Sequence, residues 1–219
     1  MPDWSVVVPV KRLEIAKSRL RSTLPAVDHD ALVLAICLDT VSAALACPAV
    51  ARVVVVTDDA RAGASLQAAG ALVVADEPDS GLNPAVQHGA ESAAKLAADD
   101  GVAVLSADLP ALRPAELATA LAAAAGHLRS FVSDTARTGT TLLAVAAGQP
   151  LGAAYGTESR AAHAASGAIE LTGEWPSLRR DVDTATDLRD ASALGLGPHT
   201  AALVPPKPEP PVAPPVPAG

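Results

Sequence analysis

The sequence predicts an α/β fold, a single domain built on a mostly parallel mixed sheet with helices on both faces. Two observations carry that prediction. Valine-rich apolar runs recur at 4–10 (WSVVVPV), 52–57 (RVVVVT), 71–75 (ALVVA) and 101–106 (GVAVLS), and unbroken runs of this kind mark strands buried on both faces. Segments suited to helices separate them, so strand and helix alternate four times before Ala125, the pattern of a parallel sheet wrapped by crossover helices. A length of 219 residues suits one such domain.

The elements follow in order. Residues 4–10 are the first strand, and 11–24 form a basic loop with a short helical turn. Leu32, Ala35, Ile36, Ala43 and Leu45 mark a helix over 28–46 with Asp28 as its N-cap. The second strand ends at Asp58 and Asp59; a helix to Ala69 follows, Gly70 stops it, and 71–75 is the third strand. Residues 76–83 are rich in Asp, Pro, Ser and Gly and read as a surface loop. Pro84 then opens a helix to about Ala98, at a first-turn position that proline tolerates. After the fourth strand, 107–110 turns the chain, and Pro114 starts a helix to Ala125. Stretches near 129–133 and 140–146 lack a helical period and read as strands. The mixed region 150–180 holds a short helix around 158–165, and a helix over 184–194, ended by Gly195 and Gly197, closes a domain spanning 1–203. Residues 204–219 carry eight of the 19 prolines and are expected to form an extended, disordered tail.

Composition excludes several functions. Sixteen Lys+Arg against 24 Asp+Glu leave a net charge of −8, the wrong sign for a nucleic-acid partner. The 50 alanines and 2% aromatics require a core of Val, Leu, Ile and packed Ala. Cys37 and Cys47 form no CxxC pair, and Cys37 reads as core; the five histidines show no HExxH, so no zinc site is expected. The first twelve residues read as a strand and not a signal peptide, and no uncharged apolar stretch reaches the length of a membrane span. The expected compartment is the cytoplasm.

In open α/β sheets, ligands bind beyond the carboxyl ends of the strands. Lys11, Arg12, Lys17, Arg19 and Arg21 follow the first strand, five cations in eleven residues of an acidic protein. Such a cluster has a charge reason to meet polyphosphate, and its competing reading is a solvated basic surface. Neither GxxxxGK[ST] nor GxGxxG is present. Asp108 follows the fourth strand, and Asp181 and Asp183 precede the last helix in DVDTATDL. Carboxylates so placed are oxygen ligands of the kind Mg²⁺ shares with phosphates, although Asp183 could instead cap the helix and Asp108 could be a turn residue. The run 138–141 (TGTT) enters a strand and can offer hydroxyl and amide donors to an anion. Residues 156–159 (GTES) precede a short helix, and His163 reads as a surface or packed histidine.

These residues fall in motifs with a known counterpart. VPVKRLEIAKSRL at 8–20, LNPAV at 82–86, SADLPAL at 106–112, TGTTLL at 138–143, YGTESRAAH at 155–163, SGAIELTG at 166–173 and DVDTATDL at 181–188 occur in one order. From residue 4 to about 200 the chain resembles the guanylyltransferases of deazaflavin coenzyme F-420 biosynthesis. The resemblance implies a Rossmann-like nucleotidyltransferase sheet, GTP as donor, Mg²⁺ as cofactor and a phosphorylated three-carbon acid as acceptor. It implies that Asp108, Asp181 and Asp183 hold metal, with Asp108, Lys11, Lys17 and Arg19 counted as the catalytic residues. Thr140, Gly156 and Ser159 would bind the acid, with Thr141 competing for the place of Thr140. Lys11, Lys17 and Arg19 would hold the triphosphate, and Asn83 would face the guanine.

The reaction so implied is in-line attack of the acid's phosphate on the α-phosphorus of GTP. The nucleophile is already an anion, so positioning and charge neutralisation suffice. The GTES and SGAIELTG segments look most like actinobacterial members, which points to phosphoenolpyruvate over 2-phospho-L-lactate or 3-phosphoglycerate. Hand-off of a labile product to a downstream deazaflavin transferase is expected. Two alternatives remain. A molybdopterin guanylyltransferase is disfavoured by the missing LxGGxSxRMG-like start. A non-catalytic nucleotide-binding or partner-docking module is disfavoured by the presence of all three acidic positions.

Overall fold

Valines at 6, 7 and 8 are all fully buried, and Val53, Val54, Val55 and Val56 lie beside them at 2% exposure or less. Strand geometry sends successive side chains to opposite faces, so the run must be covered on both sides. Val6 and Val8 pack with Val33, Cys37 and Val41 in one layer, whereas Val7 packs with Val86 and Ala90 in the other. Each such burial stabilises by about 1.5–3 kcal/mol.

The computed structural model describes residues 3–14, 16, 20, 27–77 and 79–204. Lys17, Arg19 and Arg21 lie outside these residues, as does the proline-rich segment from 205 onward. In chain order the elements are β1 (Trp4–Pro9), α1 (His29–Leu45), β2 (Val50–Val56), α2 (Ala60–Ala68), β3 (Leu72–Val74), α3 (Leu82–Leu96), β4 (Gly101–Leu105) and α4 (Pro114–Ala124). Then come β5 (Arg129–Ser133), β6 (Thr140–Val145), α5 (Ser159–Ala165), β7 (Ile169–Glu170), α6 (Pro176–Arg179), α7 (Ala185–Leu194) and α8 (Pro198–Ala201).

The sheet has the order β3-β2-β1-β4-β6-β5-β7. β1 pairs in parallel with both β2 and β4, while β6 is antiparallel to both β4 and β5, and β7 is parallel to β5. A single reversed strand therefore makes the sheet mixed. Asp28 caps α1 as expected, accepting from the amides of Asp30 and Ala31.

The helix expected to open at Pro84 begins two residues earlier, because Gly81 adopts φ 110° and turns the chain directly into Leu82. Asn83 thus lies in a helix and not in a loop. α3 lies close against the sheet at Gly89, where a Cβ would come within 2.5 Å of Val7 and 2.6 Å of Val56.

Three elements were not legible in the sequence. β7 has two residues and α6 and α8 four each, too short for a periodicity. Gly195 ends α7 at φ 97°, but Gly197 instead caps α8. The buried Asp39 of α1 accepts from the amides of His199 (3.0 Å) and Thr200 (2.7 Å), which explains a carboxylate on an apolar helix.

Candidate active site

Because β6 alone is reversed, the carboxyl ends of the other six strands share one sheet edge with the start of β6. The strand order changes direction between β1 and β4, and ligands bind at such a switch point. Lys11, Asp108 and Thr140 all lie along this edge.

On the β1 side, Lys11 and Arg12 line a cavity of about 220 Å³ with Val56, Asp58, Asp79 and Leu82. Asp59 anchors this segment by capping α2 through the Ala62 amide and accepting from the Leu13 amide at 2.9 Å. Burial pushes its carboxyl up, but the amides of Ala62 and Leu13 outweigh that and hold it below the ordinary range. Asp58, Asp76 and Asp79 approach one another closely enough to share an ion, a cluster the sequence did not suggest. Arg12 partly neutralises it, lying 3.8 Å from Asp58 and 3.4 Å from Asp79.

At the centre, the Val182 amide donates to the Asp108 carbonyl at 3.1 Å. That bond ties the DVDT segment to the end of β4, so Asp181 and Asp183 flank the residue docked on Asp108. The ligand atoms of Asp108, Asp181 and Asp183 do not all lie within 4.8 Å of one another. The three carboxylates are therefore not drawn together into one ready-made set of ligands. The helix-cap role open to Asp183 belongs to Thr184, whose hydroxyl accepts from the Asp187 amide in a capping box.

On the far side, one buried network joins Thr140, Ser159 and His163. The Thr140 hydroxyl lies 2.9 Å from His163 Nδ1, and the Ser159 hydroxyl donates to it at 3.4 Å. Thr141 instead donates to the Val132 carbonyl at 3.4 Å. A bulge at this point sets Ser133 opposite Thr140 and leaves Thr141 the extra residue. Gly156 sits at φ 146° and its carbonyl accepts from the Ser159 amide, so it shapes the entry to α5.

The preceding turn is held by Asp134, 8% exposed, which accepts from the amides of Thr138 (2.9 Å) and Gly139 (2.8 Å). Arg160 clamps Glu170 with bonds of 2.7–3.1 Å, and that pairing holds the Glu170 carboxyl below its ordinary range. Arg179 crosses to the Ser133 carbonyl at the end of β5 and to the Leu171 carbonyl just past β7.

Asn83, expected to face guanine, is bonded through its side chain to the backbone of Tyr155. Its amide donates to the Tyr155 carbonyl at 2.9 Å and accepts from the Tyr155 amide at 2.7 Å. Both ends of the side chain are thereby engaged in joining α3 to the loop before α5. Sequence reasoning also missed Asp134 and the buried role of His163. His163 at least fell inside YGTESRAAH, a motif quoted for other residues, whereas Asp134 lies four residues before TGTTLL and outside every quoted motif.

Residues 4–168 match the family described as Guanylyl transferase CofC like. The chain belongs to this family. The match stops short of Asp181 and Asp183, but full-length relatives extend over them. A phosphoenolpyruvate guanylyltransferase of Salinispora arenicola is 59% identical over 202 residues, covering 91% of this chain and 92% of its own. The enzyme of that name from Streptomyces coelicolor is also 59% identical, covering 92% and 95%.

Solved structures agree in fold. A nucleotidyl transferase from Methanothermobacter superposes with a TM-score of 0.56 at 20% identity, covering 88% of this chain and 97% of its own. A 4-diphosphocytidyl-2C-methyl-D-erythritol synthase gives 0.58 at 14%, covering 89% and 99%. The Rossmann-like nucleotidyltransferase fold expected of the sequence is the fold observed.

Proposed function

We infer that this chain is a phosphoenolpyruvate guanylyltransferase. It transfers GMP from GTP to phosphoenolpyruvate, giving enolpyruvyl-diphospho-5'-guanosine and pyrophosphate, a step in coenzyme F-420 biosynthesis. The observation that carries the reading is identity of 59% to enzymes of that name over nine-tenths of both chains.

In the reaction a phosphate oxygen of the acid forms a bond to the α-phosphorus of GTP, and the bond from that phosphorus to the β-phosphate bridging oxygen breaks. Pyrophosphate leaves with the electron pair. The acid's phosphate is ionised at neutral pH, so no proton need be removed from it. What the protein supplies is alignment and charge. Lys11, with Lys17 and Arg19, answers the triphosphate charge, and Thr140, Ser159 and the Gly156 turn receive the acid. Asp108, Asp181 and Asp183 are the residues that would hold Mg²⁺, whose chemistry there is neutralisation of phosphate charge. The labile product is handed to a downstream deazaflavin transferase in the cytoplasm. Among the described residues, no helix is long and apolar enough to cross a membrane.

The test is pyrophosphate release from GTP and Mg²⁺ with phosphoenolpyruvate, 2-phospho-L-lactate or 3-phosphoglycerate. Release with phosphoenolpyruvate is expected. Release with another acid alone moves the acceptor, and silence with all three from folded protein overturns the reading.

A further inference from the structure

His163 is fully buried, yet both of its ring nitrogens have partners. The Ala154 amide points its N–H at Nε2 from 3.0 Å. A nitrogen that accepts cannot carry a proton, so the neutral ring holds its proton on Nδ1. Nδ1–H then donates to Thr140 Oγ1 at 2.9 Å, and the Ser159 hydroxyl donates to the same oxygen at 3.4 Å. Two donors fill the two lone pairs of Thr140.

We propose that His163 is a positioning residue for the acid subsite, a neutral Nδ1–H imidazole that compels the Thr140 hydroxyl to act as a donor toward the bound phosphorylated acid. The proposal rests on the reading that Thr140 receives that acid, with Ser159, whose one hydroxyl proton goes to Thr140, acting through it. An anion rewards a hydroxyl that can only donate, because an outward lone pair would repel it. The imidazole also gathers three separate pieces of chain: the start of β6 through Thr140, the loop before α5 through Ala154, and α5 itself, on which it sits. Burial, followed by the nearby positive charge of Arg129, holds the ring's pKa at about 4, which keeps it neutral in the working range. Tyr155, edge-on at 5.2 Å, and Phe131 at 5.8 Å box the ring in.

Two variants separate the two hydrogen bonds. His163→Gln keeps an acceptor for Ala154 but loses the donor to Thr140; His163→Asn keeps a donor at the Nδ1 position. In pyrophosphate-release assays, the Gln variant should raise KM for phosphoenolpyruvate about tenfold, the worth of one hydrogen bond, with KM for GTP unchanged. The Asn variant should restore much of that loss. Nitrogen-15 NMR of the unmodified protein should show Nδ1 protonated and Nε2 bare at neutral pH. An Nε2–H tautomer overturns the proposal, as does a folded Gln variant with unchanged acid KM, or an Asn variant as impaired as the Gln one. Unmodified protein that releases no pyrophosphate with phosphoenolpyruvate overturns the functional reading and this inference with it, whereas normal turnover with indifferent variants overturns this inference alone.

Discussion

The parallel part of the sheet and the part beyond β4 are held by different forces. From β1 to β4, valine side chains fill two apolar layers, and the helices differ mainly in which layer they cover. Between β5 and α6, the chain is organised by Asp134, Arg160 with Glu170, Arg179 and His163, each bonded across irregular backbone. Apolar layers are non-directional and tolerate variation in detail. Buried polar networks fix specific atoms and fail when one partner is lost. On the proposed function, the first arrangement would serve as a platform for the nucleotide and the second would discriminate among acids that differ at one carbon.

That contrast can be broken in several places. The largest effect is expected at the junction of the two parts, where Asp108→Asn should lower turnover by roughly 10²–10³-fold while leaving the melting temperature intact. Retained turnover would remove Asp108 from the metal set. Next, Gly89→Val forces a side chain between α3 and the sheet, where a Cβ alone would come within 2.5 Å of Val7. Urea titration should show a loss of about 3 kcal/mol, and an unaltered midpoint would mean that the apolar half yields more easily than its packing implies.

The polar half should instead reveal itself through pH. The His163 pKa falls from 6.5 to about 4 on folding, so between those values the unfolded chain binds the extra proton. Stability from this group is complete above pH 6.5 and drains away as pH falls toward 4, by about 3 kcal/mol in all. Unfolding free energies at pH 7.5 and 5, compared with His163→Gln, isolate that slope; parallel profiles would place the proton elsewhere.

The smallest effect sharpens the boundary itself. Asn83→Ala cuts the clasp between α3 and Tyr155 and should cost about 1–2 kcal/mol. The acid KM should rise more than the GTP KM, whereas a rise confined to GTP would return Asn83 to the guanine.

Legibility in the sequence follows the same divide. β1, β2 and β4 were readable because burial on both faces demands unbroken branched residues, and Asp28 announced its helix by capping chemistry. Asp108 and DVDT were found as motifs, but their docking through Val182 is a backbone contact without a sequence signature. Asn83 was placed in a loop because Pro84 marked a helix start, while Gly81 in fact set it. His163 had no periodic or motif signal of its own. Its role depends on an amide nine residues earlier and a hydroxyl 23 residues earlier, and only folding makes those neighbours.

The reversal of β6 has a further consequence. The chain enters β6 at the site, leaves it at the far edge, where the Ala146 amide meets the Leu128 carbonyl, and returns to deliver Ser159 beside Thr140. On the proposed function, much of the acid-facing set therefore lies in one contiguous stretch of chain, most of it in the connection between β6 and β7. Acceptor preference could be exchanged between relatives by transplanting residues 146–168, with the GTP-handling half left as it stands.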